Sequence, residues 1–254
     1  MLVNVFASGS KGNATLIKTK KYNILIDAGM TAKYLNDQLA NLNMNLKDID
    51  YILITHTHYD HISSLKTIIK DAKPTIIITD KMFIDLKFLK IYEHIKIIND
   101  DLKLDNVLIE SLKISHNASD SRGYIITEDD SSLVYVTDTG YLKSDYWDKL
   151  KNKSLYIFES NHDMTMLMHG KYPNWLKRKI YSDVGHLSND VSAYHLGKLI
   201  GPNTKQIILA HLSEENNSPE IALENIKNYF SENNIEFQNI ITAKQNEPLE
   251  MVEI

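Results

Sequence analysis

Residues 55–61 read Thr-His-Thr-His-Tyr-Asp-His, and no other part of the chain gathers as many potential metal ligands. The segment follows the apolar run Tyr51–Ile54, which predicts a buried strand, and it precedes a helical pattern over Ile62–Lys70. It is therefore predicted to be a loop at the end of a strand. The potential ligands in this loop are His56, His58, Asp60 and His61.

The spacing within this loop suits metal binding at two nearby points. His56 and His58 are two residues apart, so in an extended segment they point to the same side. Asp60 and His61 lie where the chain turns into the helix, and they can bind metal at a second point nearby. A solvated loop with a chance run of histidines is the alternative, but three of the ten histidines fall within six residues. We interpret the loop as a metal site, because such ligands suit zinc, manganese and iron.

Composition places the chain among ordinary globular proteins. It has 254 residues, 43% of them hydrophobic and 24% charged, with a net charge of −5. The acidic balance gives no global attraction to nucleic acid, so such a partner would need a local basic patch. Because the chain has no cysteine, disulfides, thiolate zinc sites and cysteine nucleophiles are excluded.

The same features predict one domain, residues 1–254, in the reducing cytoplasm. Met1–Gly9 shows no signal-peptide pattern, and no apolar run approaches the length that spans a membrane. We expect no membrane partner, and the oligomeric state stays open.

Short strands and capped helices are predicted on both sides of the metal loop. Strands are expected at Val3–Phe6, Ala14–Ile17, Asn23–Ile26, Thr75–Ile78, Asn106–Ile114, Gly123–Thr127, Leu133–Thr137, Leu155–Phe158 and Gln206–Ala210. Helices are expected from Thr31 to Asn41, over Met82–Ile91, from Ser188 or Asn189 to Ile200, and from Pro219. Several of the strands end in a residue that can ligate metal or carry a proton: His116, Asp138, Glu159 and His211.

Three polar segments could contact a substrate. The turn Ser-Gly-Ser-Lys-Gly-Asn at 8–13 could cradle an anion, although an ordinary hairpin turn has the same composition. Lys171–Lys179 interleaves cations with Tyr172 and Trp175, which suits a phosphate backbone and stacked bases, or a solvated helix face. In Gly-His-Leu-Ser-Asn at 185–189, His186 precedes a helix N-terminus and could donate a proton to a leaving oxygen.

The pattern His-x-His-x-Asp-His after a hydrophobic strand resembles the signature of the metallo-β-lactamase superfamily. The implied fold is an α+β, αββα sandwich: two mixed β-sheets packed together, with helices on both outer faces and metals at one edge. The segments 8–13, 159–161 and 185–189 resemble motifs of the YycJ/WalJ (VicX)-like branch. That branch often has His-Asp-Ala where this chain has His-Asn-Ala at 116–118.

The resemblance implies a ligand set for two divalent ions. One ion would be held by His56, His58 and His116, the other by Asp60, His61 and His211, with Asp138 bridging. Asp27 would brace the metal loop without binding metal. Two cations that share a water lower its pKa towards neutrality, and a bridging hydroxide of that kind hydrolyses its substrate.

The branch resemblance further implies a phosphodiesterase, a 5′-exonuclease acting on DNA rather than RNA. Its predicted catalytic residues are Asp60, His186 and Glu159. The predicted substrate-binding residues are Ser8, Ser10, Asn13, Asn161, Lys177, Arg178, Ser188 and Asn189. A thioester or lactone hydrolase is an alternative, although Ser115–Ala118 does not resemble the Gly-His-Thr-x-Gly-His segment of those enzymes. A regulatory binding protein with structural metals is the other alternative.

Overall fold

The first half of the chain builds a seven-stranded sheet. Its first three strands are antiparallel, and the strands from the third to the sixth are parallel to one another. In the computed structural model, which describes residues 1–254, the strands are β1 (Leu2–Ala7), β2 (Ala14–Lys18), β3 (Asn23–Ile26), β4 (Tyr51–Leu53), β5 (Thr75–Ile78) and β6 (Ile95–Ile97). A strand from the far end of the chain (Val252–Glu253) pairs with β1 and completes the sheet.

The second half builds another seven-stranded sheet. Its strands are β7 (Asp101–Leu104), β8 (Val107–Lys113), β9 (Arg122–Glu128), β10 (Ser131–Val136), β11 (Leu155–Glu159), β12 (Gln206–Ala210) and β13 (Ile240–Thr242); the chain's final strand, in the first sheet, is β14. β7 to β10 are antiparallel, whereas β10 to β13 are parallel. The carboxyl ends of β10, β11 and β12 therefore lie at the same edge of the sheet.

Nine α-helices connect these strands. They are α1 (Ala32–Ala40), α2 (Tyr59–Ile62), α3 (Leu65–Asp71), α4 (Asp80–Asp85), α5 (Trp147–Leu150), α6 (Met164–His169), α7 (Asn174–Ile180), α8 (Asn189–Leu199) and α9 (Pro219–Glu232). Thr31, Ser188 and Ser218 cap α1, α8 and α9 with their side-chain oxygens, as the sequence predicts. None of the helices combines the length and the apolar character needed to cross a membrane.

The two sheets pack face to face and bury side chains from both. Ile24 and Ile26 belong to the apolar cluster between the sheets, whereas Leu25 belongs to the cluster beneath α1 and α3. This alternation follows from the two-residue period of a strand. A third cluster joins the second sheet to α8 and α9, through residues such as Phe158, Leu196 and Phe230. The predicted αββα sandwich of two mixed sheets is confirmed.

Two predicted helices are interrupted. The pattern over Ile62–Lys70 breaks between α2 and α3, where the hydroxyls of Ser63 and Ser64 donate to the carbonyls of Gly29 and Ala28. The pattern over Met82–Ile91 ends its α-helix at Asp85 and continues as a 3-10 turn. β6, β7 and α6 are not anticipated by the sequence, because each is short and has no strong apolar period.

Candidate metal centre

Potential ligating atoms from nine residues converge at one edge of the sandwich. Within each of four overlapping groups, the atoms that could hold a cation lie within 4.8 Å of one another. The groups are His56, His58 and His116; Asp60, His61 and His211; His56, His61 and Asp138; and Asp138, Glu159, His186 and His211. All seven predicted metal ligands are thus neighbours in space, and their role as ligands stays a prediction.

Hydrogen bonds fix which ring nitrogen of three of these imidazoles is available. Nδ1 of His61 lies 2.7 Å from Asp27 Oδ2, Nδ1 of His211 lies 3.0 Å from Glu159 Oε1, and Nδ1 of His116 lies 3.2 Å from the Gly185 carbonyl. Each partner is an acceptor, so each Nδ1 donates and Nε2 is left for a cation. This is the arrangement in which protein carboxylates and carbonyls orient metal-binding histidines.

Several buried atoms of the cluster have no hydrogen-bond partner. Nε2 of His56, Nε2 of His211 and Oδ2 of Asp138 are all in this state. An unsatisfied polar atom in the interior costs about 1–3 kcal/mol. Two divalent cations, one beside His56 and one beside His211, would satisfy all three atoms. The residues present therefore fit divalent cations, and the donor set does not distinguish zinc, manganese and iron.

The protonation states also suit a cation. Burial raises the pKa of the Asp138 carboxyl, but the imidazoles of His211 and His61 outweigh it and hold that pKa well below its ordinary value. Burial lowers the pKa of His116 to about 4 and that of His56 well below its ordinary value. At neutral pH Asp138 is therefore an ionised carboxylate and the imidazoles of His56 and His116 are neutral, which are the forms that bind metal. Burial lowers the pKa of His211, but Asp138 and Glu159 outweigh it and raise that pKa to about 9, so a cation bound there would replace a proton.

The backbone is left-handed at three residues of this region that lie within two residues of a strand end. Asp27, Asp138 and His211 have φ angles of 60°, 57° and 56°. Such a conformation is uncommon for residues other than glycine and costs on the order of 1–3 kcal/mol each. It turns the chain sharply after β3, β10 and β12.

Asp27 makes the contacts expected of a brace for the metal loop. It is fully buried, and its Oδ1 accepts from the amide of Thr55 at 2.8 Å. Its Oδ2 accepts from the hydroxyl of Thr55 at 2.8 Å and from His61. One carboxylate thus holds both ends of residues 55–61.

Glu159 makes the contacts of a positioning residue, and the catalytic role predicted for it stays a prediction. It is fully buried, and Oε1 lies 2.8 Å from Nδ1 of His186 as well as 3.0 Å from Nδ1 of His211. Its Oε2 accepts from the amides of Thr139 and Leu187. With both oxygens committed to the protein, the carboxylate acts through the two imidazoles and has no access to substrate.

Five of the predicted substrate-binding side chains are buried in internal contacts. Ser8 accepts from the amide of His211, Asn161 donates to the His211 carbonyl, and Asn13 donates to the Gly9 carbonyl beside His61. Asn189 accepts from the hydroxyl of Ser160, and Lys177 donates from Nζ to the Met168 carbonyl at 2.7 Å. These contacts position the centre or the helices around it, and the predicted contacts of the five side chains with substrate stay predictions.

The accessible part of the centre is a cavity of about 210 Å³. Ser10, His58, Asp60 and His186 line it, so these predicted residues face the opening. Arg178 is exposed on α7 but is not part of the lining, and Ser188 caps α8. The sequence analysis missed the lining residues Asn117, Leu176, Lys179 and Ile180. Helical spacing could have found the last three, because positions 176, 179 and 180 share a helix face that excludes 177.

Comparisons with known proteins agree with the geometry. A family model described as the beta-lactamase superfamily domain matches residues 22–211. The chain is 35% identical over 226 residues to the exodeoxyribonuclease WalJ of Streptococcus pneumoniae serotype 2, covering 86% of this chain and 84% of that protein. It is 34% identical over 224 residues to the exodeoxyribonuclease YycJ of Bacillus anthracis, covering 86% and 85%.

A solved structure supports the fold independently. The metallo-beta-lactamase fold protein YhfI from Bacillus subtilis superposes with a TM-score of 0.72 over 98% of both chains, at 18% sequence identity. At that identity the likeness concerns the fold alone.

Proposed function

The chain belongs to the beta-lactamase superfamily, within its YycJ/WalJ-like branch, and we propose that it is a 5′-exonuclease that hydrolyses DNA with two bound divalent cations. The chain is a metal-dependent hydrolase of this superfamily. The observation that supports the proposal most directly is the set of buried, unpartnered atoms of His56, Asp138 and His211. Relatives named exodeoxyribonucleases match most of the chain and supply the substrate class.

The proposed ligand set keeps the two groups predicted from the sequence. His56, His58 and His116 would hold one cation; Asp60, His61 and His211 would hold the other; Asp138 would bridge them. Two cations held there would supply a water of lowered pKa and neutralise negative charge on a phosphoryl group.

The protein's own proton donor in this scheme is His186. Its Nδ1 lies 2.8 Å from Glu159 Oε1, so this nitrogen carries a proton and Nε2 is the nitrogen left for substrate. The side chain is 21% exposed and lines the cavity. In its imidazolium form, which the carboxylate of Glu159 would stabilise, the ring carries a second proton on Nε2. Transfer of that proton to the leaving oxygen would prevent the build-up of an alkoxide and leave the neutral ring protonated on Nδ1.

Lys179 and Ser10 supply polar contacts at the opening. Both line the cavity and are exposed. The ammonium of Lys179 can pair with a phosphate of the bound strand, and the hydroxyl of Ser10 can donate to another phosphate oxygen. These groups give the acidic chain a local attraction for a polyanion.

Cleavage of end-labelled DNA tests the proposal. Protein loaded separately with manganese and with zinc is mixed with 5′-labelled and 3′-labelled strands and with an RNA of the same sequence. We expect mononucleotide release from the 5′ end of DNA, together with about two metal ions per chain by elemental analysis. Metal content without cleavage of DNA or RNA would overturn the proposal, and turnover of a thioester panel would favour the alternative hydrolase.

A further inference from the structure

A second cavity adjoins the metal centre. Its volume is about 350 Å³, and His186 lines both this cavity and the metal-centre cavity of about 210 Å³. The larger volume falls within the ~300–1,000 Å³ of pockets that enclose a small organic ligand, whereas the smaller one lies below that range. The molecule therefore has a small cavity at the proposed metal ligands and a roomier one beside His186.

The lining of the second cavity suits an uncharged ring. Tyr181 contributes an aromatic side chain that is 46% exposed, and Met164 and Leu187 contribute apolar surface. No lysine or arginine lines this cavity, and Asp190 adds a carboxylate, so a phosphate group would be disfavoured there. A nucleobase carries no charge and stacks on aromatic rings, so it matches this lining.

The second cavity also contains a buried imidazole whose hydrogen-bonding capacity is not fully used. His162 lines the cavity and is 1% exposed, and its Nε2 has no hydrogen-bond partner. Its Nδ1 lies 3.4 Å from Asn161 Oδ1. Burial lowers the pKa of His162 to about 4, so the ring is neutral at pH 7. A neutral ring nitrogen can form a hydrogen bond with the polar edge of a base, but it offers no charge to an anion.

The proposed reaction relates the two cavities through His186. Hydroxide adds to the scissile phosphorus, the bond from phosphorus to the leaving oxygen breaks, and His186 gives that oxygen a proton. The leaving oxygen must therefore lie beside His186, which lines the second cavity as well. When hydrolysis from the 5′ end releases a mononucleotide that keeps its 5′-phosphate, the leaving oxygen is O3′ of the terminal nucleoside.

We infer that the second cavity binds the 5′-terminal nucleoside of DNA, with its base against the ring of Tyr181 and within reach of His162. This inference rests on the proposed function and names the part of the substrate that binds outside the metal centre. Stacking of one base on an aromatic side chain is worth roughly 5- to 150-fold in affinity. Because a single base enters the cavity, a duplex end can bind as well as a single strand, by opening its terminal pair.

Binding of small ligands to the metal-loaded protein tests the inference without relying on turnover. Deoxyadenosine 3′-monophosphate carries its phosphate on O3′, as the terminal nucleoside does, and the abasic sugar with the same 3′-phosphate lacks only the base. By calorimetry we expect the nucleotide to bind about tenfold tighter than the abasic ligand. Tyr181→Leu should remove most of this difference, whereas Tyr181→Phe should keep it within about threefold, because phenylalanine retains the ring.

A matched control is available on α8. Tyr194 is 42% exposed and lines neither cavity. Tyr194→Leu should leave both affinities unchanged, and the abasic ligand should bind equally to all the variants. Equal binding of the nucleotide and the abasic ligand to the unchanged protein, or an unchanged nucleotide affinity in Tyr181→Leu, would overturn the inference.

The outcome separates the inference from the proposed function. If DNA is cleaved while Tyr181→Leu binds the nucleotide like the unchanged protein, the inference fails and the nuclease proposal stands. If the nucleotide binds through Tyr181 but no metal supports cleavage, the nuclease proposal fails and the nucleoside site stands.

Discussion

Oε1 of Glu159 lies 2.8 Å from Nδ1 of His186, and the same oxygen lies 3.0 Å from Nδ1 of His211. One buried carboxylate therefore orients both the proposed proton donor and a proposed metal ligand. Burial raises the pKa of Glu159, but His186 and His211 outweigh it and hold that pKa at about 2. The group is ionised throughout the working range of pH and can only accept hydrogen bonds.

Replacement Glu159→Gln should impair metal binding and turnover together. An amide can turn its NH₂ group towards one of the two imidazoles and disturb which nitrogen carries the proton. We expect metal affinity to fall about 10- to 100-fold and the pH profile of kcat to change shape at saturating metal. Glu110→Gln, at a partly exposed position on β8, is the control; an unchanged affinity and profile in Glu159→Gln would contradict the positioning role.

Replacement Gly29→Ala should displace the metal loop. A Cβ on Gly29 would lie 1.5 Å from the carbonyl oxygen of Asp60, which itself accepts from the amide of Asn13. The backbone must move, so we expect bound metal to be lost and the melting temperature to fall by several degrees. Gly197→Ala in α8 is the control, because its Cβ would meet only the rings and side chains of Tyr229 and Ile235. Elemental analysis and thermal melts of both variants make the comparison.

Replacement of two lysines of α7 should affect different properties: DNA binding in one case and stability in the other. Lys179 lines the cavity and is exposed, so Lys179→Gln should raise KM for DNA several-fold and lower its dependence on salt, with little change in stability. Lys177 is buried and donates to the Met168 carbonyl, so Lys177→Gln should lower the melting temperature instead. Steady-state kinetics at two salt concentrations measure the first effect, and thermal melts measure the second. A change in KM for Lys177→Gln without loss of stability would contradict the prediction.

His195 should make the fold less stable in mild acid. It is buried in α8, accepts a hydrogen bond from the indole of Trp147, and has its pKa lowered by burial to about 4. The unfolded chain binds this proton near pH 6.5, so stability contributed by the neutral ring is present above that pH and is lost as pH falls towards 4. Between pH 7.5 and 5 the loss is on the order of 2 kcal/mol.

His195→Asn keeps an acceptor for the indole and removes the titration. Denaturant unfolding of the metal-loaded proteins at several pH values measures the difference. The variant should lose less stability than the unchanged protein between pH 7.5 and 5; parallel losses would show that His195 does not contribute.

Local sequence patterns predict most of the fold. Short apolar runs located β3 and β12 to the residue, and a hydroxyl before a proline located the start of α9. The same patterns failed where tertiary contacts decide. Ser63 and Ser64 break a continuous helical period because their hydroxyls bond to carbonyls more than thirty residues away, and no local signal records that contact.

The residues of the candidate site also fall into those that the sequence identifies and those whose surroundings only the fold reveals. The cluster His56–His61 is local. The other three proposed ligands, His116, Asp138 and His211, lie at predicted strand ends, and the family resemblance selects them as ligands. Which polar side chains face solvent depends on packing, so the sequence does not indicate that Asn13 and Lys177 are buried. It includes Lys179 only as part of the 171–179 patch. Glu159 lies at the predicted strand end, but only its five hydrogen-bond partners reveal that it cannot touch substrate.

The left-handed backbone at Asp27, Asp138 and His211 has a consequence for protein engineering. Glycine and asparagine adopt that conformation at lower cost than aspartate or histidine, so a screen that rewards heat resistance alone would favour them at all three positions. Each such gain would discard a ligand or the brace of the metal loop. Libraries built on this scaffold should therefore hold these three codons fixed and seek robustness elsewhere.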